Sequence, residues 1–357
     1  MDKLKVALLG ATGLVGQRFI TLLHNHPMFE LTCLVASEKS AGRKYRDVVK
    51  WVIEDPLPED IADMELLPPD PDKIPKVDLV FSALPSDVAE KLEIELVKRG
   101  HIVVSNASNN RLDPDVPLVV PEINADHLEL LKVQKKRRNW QGLLIKNANC
   151  TTIILTLSLK PIHDLAKIKK IYVTTMQAVS GAGLGADAVP GVTIIDNIIP
   201  YIKKEEEKVQ TESRKILGEF VGDEVRWADF KIYATTTRVP VIDGHLESVY
   251  VELERDVDEK DILEAFETFN KYNKISSLNL PTSPEKTIVI RREIDRPQPR
   301  LDRKEGRGMS VVVGRIRKID EKTIAYIVLG HNTIRGAAGN TVLIAETLVK
   351  LMPEIIT

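Results

Sequence analysis

A short apolar run, Lys5 to Leu9, passes directly into Gly10-Ala11-Thr12-Gly13-Leu14-Val15-Gly16, after which Val15, Phe19, Leu22 and Leu23 recur at helical spacing until Pro27. Strand, glycine turn and amphipathic helix in that order open a parallel α/β unit. Gly10 and Gly13 let the backbone come close to a pyrophosphate, and the helix start beyond them holds its charge. The spacing is G-x-x-G-x-x-G rather than G-x-G-x-x-G, so a purely structural turn is the competing reading.

Further units follow in the same rhythm. Glu30 to Ala36 reads as the second strand, with Cys33 as a core residue inside it. Asp78 to Leu84 is a strand, Asp87 to Lys98 a helix stopped at Gly100, and Ile102 to Ser105 another strand. Alternation of this length predicts a mainly parallel sheet. The segment Asp55 to Pro75, rich in proline and acid, is an irregular excursion. After the second strand stand Ser37, Lys39, Ser40 and Arg43, hydroxyls and cations that suit a ribose 2'-phosphate; Glu38 is the dissenting residue.

At 357 residues two domains are the default, and an apolar content of 43% is enough to build both cores. We expect them at 1–150 and 151–331, with a last helix, Gly339 to Leu351, inside 332–357 packing back on the first. Fifty Lys and Arg against 52 Asp and Glu leave a net charge of -2, which argues against a nucleic-acid or membrane-surface protein. The run Lys135-Lys136-Arg137-Arg138 ends an expected helix, Ala125 to Arg138, where cations complement the dipole. Two cysteines without CxxC spacing exclude a disulfide framework and a structural zinc site, and fit a reducing cytoplasm.

Cys150 lies in Ile145-Lys146-Asn147-Ala148-Asn149-Cys150-Thr151-Thr152. An apolar strand end precedes it, and a helix over Ile153 to Leu159, closed by Pro161, follows. A thiol in the first turn of a helix meets free N–H groups and the positive end of the dipole, which favour the thiolate. The same N–H groups, with Asn149, suit a developing oxyanion.

Beyond Pro161 the texture changes. Ile171 to Gln177 reads as a strand running into the flexible loop Ala178 to Gly185, and Lys203 to Leu217 as a charged helix. Ile232 to Val241 and Leu246 to Leu253 flank Asp243-Gly244, a favoured hairpin turn pair. Ile288 to Ile294, Ser310 to Ile316 and Thr323 to Leu329 add strands with little helix between them. The expected second domain is α+β, built on an open, largely antiparallel sheet.

Taken together, Gly10 to Gly16, Asn149-Cys150-Thr151-Thr152, Gln177 with Ser180-Gly181-Ala182-Gly183, Arg238-Val239-Pro240-Val241-Ile242-Asp243-Gly244-His245 and Arg296-Pro297-Gln298-Pro299-Arg300-Leu301-Asp302-Arg303 carry a resemblance over essentially the whole chain. The sequence resembles the aspartate-semialdehyde dehydrogenase family, in its archaeal and fungal branch. The resemblance implies a Rossmann-type dinucleotide-binding domain, an α+β catalytic and dimerisation domain, and a homodimer or homotetramer. It implies an NADP-dependent, phosphate-using reaction of lysine, threonine and methionine biosynthesis, linking aspartyl phosphate with aspartate semialdehyde. Carried over residue by residue, Cys150 is the nucleophile, Gln177 orients the intermediate and His245 is the acid/base. Arg238 clamps the substrate carboxylate, Arg111 binds phosphate, and Glu205 and Lys208 face the amino group and the phosphate. Thr12, Gly13, Leu14, Val15, Ser37, Ser40, Leu84, Ser180, Gly181 and Asn340 are the implied NADP contacts.

Two other functions compete. A malonyl-CoA reductase of the same branch would share the thioester but release CoA and need no phosphate. A non-catalytic NADP sensor would keep the fold without needing Cys150 or His245.

Overall fold

The computed structural model describes residues 2–185 and 188–356. Its first half is a seven-stranded sheet of β1 (Leu4–Leu9), β2 (Phe29–Val35), β3 (Leu66–Leu67), β4 (Leu79–Ser82), β5 (Ile102–Ser105), β6 (Leu118–Val119) and β7 (Leu143–Asn147). The order is β3-β2-β1-β4-β5-β7-β6, and every pairing is parallel. Helices α1 (Leu14–Leu23), α2 (Ser86–Lys98) and α3 (Leu130–Arg137) belong to this half. The unbroken apolar run of β1 has a simple cause: Val6 and Leu8 enter the core on one face of the sheet, Ala7 and Leu9 the core on the other. Chain order reverses between β1 and its neighbours β2 and β4, which opens a crevice at the strand ends where the glycine turn lies.

From β7 the chain enters α4 (Cys150–Ala166), the hydrophobic axis of the second half. There follow β8 (Ile168–Gln177), α5 (Glu205–Ile216), a two-stranded ribbon of β9 (Glu219–Val221) and β10 (Glu224–Arg226), β11 (Lys231–Arg238), β12 (His245–Leu253), α6 (Glu259–Tyr272), β13 (Ile288–Arg291), β14 (Val311–Lys318) and β15 (Thr323–Gly330). Six of these strands form a sheet in the order β11-β8-β12-β15-β14-β13. Ile154, Leu157 and Ile162 of α4, Val209 and Ile216 of α5 and Ile262 and Phe266 of α6 share one core with its inner face. The last helix, α7 (Gly339–Leu351), returns to the first half, where Val342, Ile344, Ala345 and Leu348 pack with Phe19 and Ile20 of α1.

The second sheet is largely antiparallel, as expected: β8–β12, β12–β15 and β14–β15 are antiparallel, while β8–β11 and β13–β14 are parallel. Other sequence expectations need correction. Asp243-Gly244 is no hairpin turn, because β8 lies between β11 and β12; residues 239–244 instead cross the end of β8. Pro161 sits inside α4 rather than closing it. It forfeits one backbone hydrogen bond, but Ile162 and Ala166 carry the buried face onward and outweigh that loss. Helix α6 was not expected at all, and the segment 125–138 is a 3-10 stretch, Ala125–Glu129, followed by α3. In the basic run at its end Arg138 is structural: it bonds Asp115 at 2.7 Å and Asp113 at 2.9 Å and lies over Trp140.

Candidate active site

Crossing residues 239–244 over the end of β8 has a chemical result. It brings the last residue of β11, Arg238, the last residue of β8, Gln177, and the first of β12, His245, to one end of the sheet. Helix α4 begins at the same place. Asn149 caps it, its Oδ1 accepting the Thr152 N–H at 3.1 Å, so Cys150 is the first helical residue. Its sulfur lies 3.3 Å from His245 Nε2.

Around this pair the polar groups are tied together. Glu205, at the start of α5, accepts from Asn149 Nδ2 at 2.9 Å, from Thr151 Oγ1 at 3.2 Å and from Gln177 Nε2 at 3.2 Å. Gln177 Nε2 also donates to Thr151 Oγ1. The second Glu205 oxygen faces Lys208 Nζ at 3.3 Å. Burial raises the Glu205 carboxyl, yet Lys208 and the donors from Asn149 and Gln177 outweigh it and hold it below the usual carboxylate range. Arg238 is buried and donates to the Ala178 carbonyl at 2.8 Å. Gly181 passes over the site so closely that a Cβ there would lie 2.7 Å from Arg238 Nη1 and 3.2 Å from the His245 ring.

Protein packed about the sulfur pushes the Cys150 thiol up to about 12, with Glu205 adding to the rise and Arg238 and Lys208 opposing it. Burial pushes His245 down to about 3, helped by Arg238 and His331 and resisted by Glu205. Burial thus works against charge on both groups and opposes the effect of the helix start, which on its own favours a thiolate. Cys33, by contrast, is a core residue on β2, its thiol raised to about 11 by burial alone.

Arg111 reaches the site indirectly. It donates to Glu212 Oε1 at 2.9 Å and to the Asn106 carbonyl at 2.6 Å. Glu212 Oε2 in turn accepts the Asn149 backbone N–H at 2.7 Å. Sequence reasoning missed Glu212, although Glu205, Val209 and Glu212 recur at i, i+4 and i+7 and so share a helix face. It also missed Glu247, two residues past His245 on the same face of β12. Burial, with Glu205 nearby, raises Glu247 well above the usual carboxylate range, and neither of its oxygens has a hydrogen-bond partner.

The glycine turn carries the other cluster. Gly10 has φ +77, and a Cβ on it would lie 2.7 Å from the Ala83 carbonyl and 3.2 Å from the Leu84 nitrogen, so only glycine fits. Thr12, Gly13, Leu14 and Val15 lead into α1, whose start has no side-chain cap and no acidic residue in its first turn. The Gly13 N–H is taken by the Gly10 carbonyl at 3.1 Å, but the uncapped start of α1 beyond it fits a dinucleotide pyrophosphate. Ser37 and Ser40 lie at the end of β2 with their hydroxyls 3.1 Å apart. Ser180 bonds Asn332 at 2.8 Å beside Gly181. Asn340 lies apart from these: it is buried in the first turn of α7 and donates to Asn147 at 2.6 Å and to the Val119 carbonyl at 3.1 Å. Among the described residues no cluster of His, Cys, Asp and Glu could hold a metal, and no helix is long and apolar enough to cross a membrane.

Residues 5–131 match the family model described as semialdehyde dehydrogenase, NAD binding domain, and residues 159–335 the one described as semialdehyde dehydrogenase, dimerisation domain. An aspartate-semialdehyde dehydrogenase from Archaeoglobus fulgidus is 52% identical, covering 97% of this chain and 98% of its own length. A malonyl CoA reductase (NADP) from Metallosphaera sedula is 38% identical over 97% of each. The crystal structure of aspartate-semialdehyde dehydrogenase with NADP from Candida albicans superposes with a TM-score of 0.86 at 39% identity, covering 98% of this chain and 99% of that one. A parallel dinucleotide-binding sheet followed by a mixed-sheet domain defines a nicotinamide-dependent oxidoreductase. Within that class, the chain belongs to the aspartate-semialdehyde dehydrogenase family.

Proposed function

We propose that the chain is an NADP-dependent, phosphorylating aspartate-semialdehyde dehydrogenase, interconverting 4-aspartyl phosphate and aspartate 4-semialdehyde through a thioester on Cys150. The observation that carries this reading is the sulfur at the first residue of α4, 3.3 Å from His245 Nε2 and ringed by Gln177, Glu205 and Arg238. Covalent capture by that sulfur splits one hard displacement into two easier steps. Arg238 offers a two-pronged partner for the substrate carboxylate. Glu205 meets the amino group, while Lys208 and Arg111 hold phosphate. Gln177, Asn149 and the first N–H groups of α4 surround the acyl oxygen.

The dinucleotide, when bound, supplies the hydride. Gly10, Thr12, Gly13, Leu14 and Val15 cradle its pyrophosphate, Leu84 lines the same turn, and Ser37 and Ser40 take the 2'-phosphate. Ser180 and Gly181 guide the nicotinamide to the sulfur, and Asn340 fixes the wall behind it. Residues 1–150, with the helix in 332–357, form the NADP-binding unit; residues 151–331 form the catalytic and dimerisation unit of a homodimer or homotetramer. Biosynthesis of lysine, threonine and methionine in the cytoplasm is the setting this chemistry suits.

The test is NADP reduction with aspartate semialdehyde, with and without inorganic phosphate. Turnover that requires phosphate is expected. A phosphate-independent rate, or activity only with a CoA thioester, would favour the chemistry named for the Metallosphaera sedula relative and contradict this reading.

A further inference from the structure

We propose that Lys215, near the end of α5, is a positioning residue for phosphate: its ammonium fastens the backbone of the loop that carries Arg111, and so sets where that guanidinium meets the anion. This rests on the phosphate-using reaction proposed above and adds to it a group that touches neither substrate nor sulfur.

Residues 106–117 join β5 to β6 without a strand or helix of their own. Such a segment has no ladder to satisfy its carbonyls, so partners must come from elsewhere. Lys215 supplies them: Nζ donates to the carbonyls of Arg111, Asp113 and Val116, each at 2.8 Å. An ammonium has three protons, and each has an acceptor here. Lys215 is only 1% exposed, and burial lowers its amine to about 8 while Asp113, Asp115 and Glu212 oppose that fall. At neutral pH it therefore keeps its third proton. A lysine in the last turn of a helix ordinarily serves its own helix's carbonyls or water. Lys215 instead reaches from the second half of the chain into the first.

Glu205, Lys208, Glu212 and Lys215 recur at i, i+3, i+7 and i+10, which puts them on one face of α5. Through Glu205 that face bonds Asn149 and Thr151 beside the sulfur; through Glu212 it holds Arg111 Nη1 at 2.9 Å, and through Lys215 the Arg111 carbonyl. Arg111 is thus gripped by both its side chain and its backbone. Its Nη2 goes to the Asn106 carbonyl of the same loop at 2.6 Å, while its Nε is buried with no partner among the described residues. A guanidinium so enclosed meets an anion only where the loop places it to within about 0.5 Å.

The test is steady-state NADP reduction by Lys215→Met, which keeps the stem and removes every donor. KM for inorganic phosphate should rise on the order of 10–100-fold, the worth of one charge-assisted hydrogen bond, while kcat at saturating phosphate and KM for aspartate semialdehyde and NADP stay within about twofold. In an Arg111→Ala background the same substitution should leave the phosphate KM where it was, because Lys215 acts through Arg111. A phosphate KM unmoved by Lys215→Met overturns the inference. So does an equal rise in all three Michaelis constants, or a further rise in the Arg111→Ala background. Circular dichroism identifies a Met variant that does not fold. Lys215→Gln, which keeps two N–H donors, then carries the same comparison, with a smaller rise expected and an unmoved phosphate KM overturning the role. Loss of the fold in both variants would make Lys215 a residue of the core alone and overturn it too. Turnover that needs no phosphate in the unaltered enzyme removes the proposed reaction. Phosphate-dependent turnover with an unmoved KM in the variant removes Lys215 only, so the two readings fail separately.

Discussion

Glu212 accepts the backbone N–H of Asn149 at 2.7 Å, one residue before the sulfur, while its other oxygen holds the Arg111 guanidinium at 2.9 Å. Carboxylate and guanidinium are both buried. Glu212 is thus the joint between helix α5, the start of α4 and the loop that carries Arg111.

Glu212→Gln leaves that guanidinium buried without its counter-charge, a change that costs about 3–5 kcal/mol when a buried pair is broken from one side. Chemical denaturation should show a loss of about 3 kcal/mol. An unchanged unfolding curve would mean that Arg111 finds another partner or water.

Glu247 makes a prediction about pH. Its folded carboxyl is raised well above the ordinary value of 4.5 by burial and by Glu205. Below that value both folded and unfolded chains hold the proton, and the group is neutral in its effect. As pH rises further the unfolded chain ionises while the folded one does not, so stability falls until the folded carboxyl itself titrates. Glu247→Gln removes this dependence. Its Tm should match that of the unaltered protein near pH 4 and exceed it near pH 8; equal Tm values at both would place an ionised carboxylate at 247.

On the outer face of the second sheet, Tyr233, Tyr172 and Tyr250 stand side by side in register, and the first two stack with ring centroids 5.2 Å apart. Tyr172 and Tyr233 are each 50% exposed, an apolar surface suited to a second copy of the chain. Tyr172→Glu combined with Tyr233→Glu should shift sedimentation velocity from the homo-oligomer to a single chain. An unaltered protein that sediments as a monomer would contradict the assembly.

How far the sequence reaches can be judged from particular residues. The β1 turn and the position of Cys150 were legible because both rest on local signals, a glycine pattern and a strand-to-helix junction. Helix α6 was equally local, with a reciprocal Asp258–Asp261 capping box and Ile262, Phe266 and Phe269 at helical spacing, but it sits among strands and was overlooked. The place of β8 between β11 and β12 was not legible: a favoured turn pair speaks only of its own residues, and strand insertion is settled by tertiary pairing. For the same reason the convergence of Arg238, Gln177 and His245 could be reached only by family resemblance. Pro161 misled because its local cost is real, while the packing that offsets it is distant in sequence.

Cys150→Ala should lose turnover by on the order of 10⁴-fold or more, as for a nucleophile in a group that acts together. Dinucleotide binding at the β1–α1 turn should persist, because that turn makes no use of the sulfur. Fluorescence titration with NADPH checks the second half. Unimpaired turnover would remove Cys150 from the chemistry.

The most direct measurement is rapid-quench analysis of the enzyme mixed with aspartyl phosphate in the absence of NADPH. The account predicts one phosphate released per active chain and an acyl group whose mass maps to the peptide bearing Cys150. Phosphate release that waits for NADPH, or an acyl group on any other residue, would contradict it.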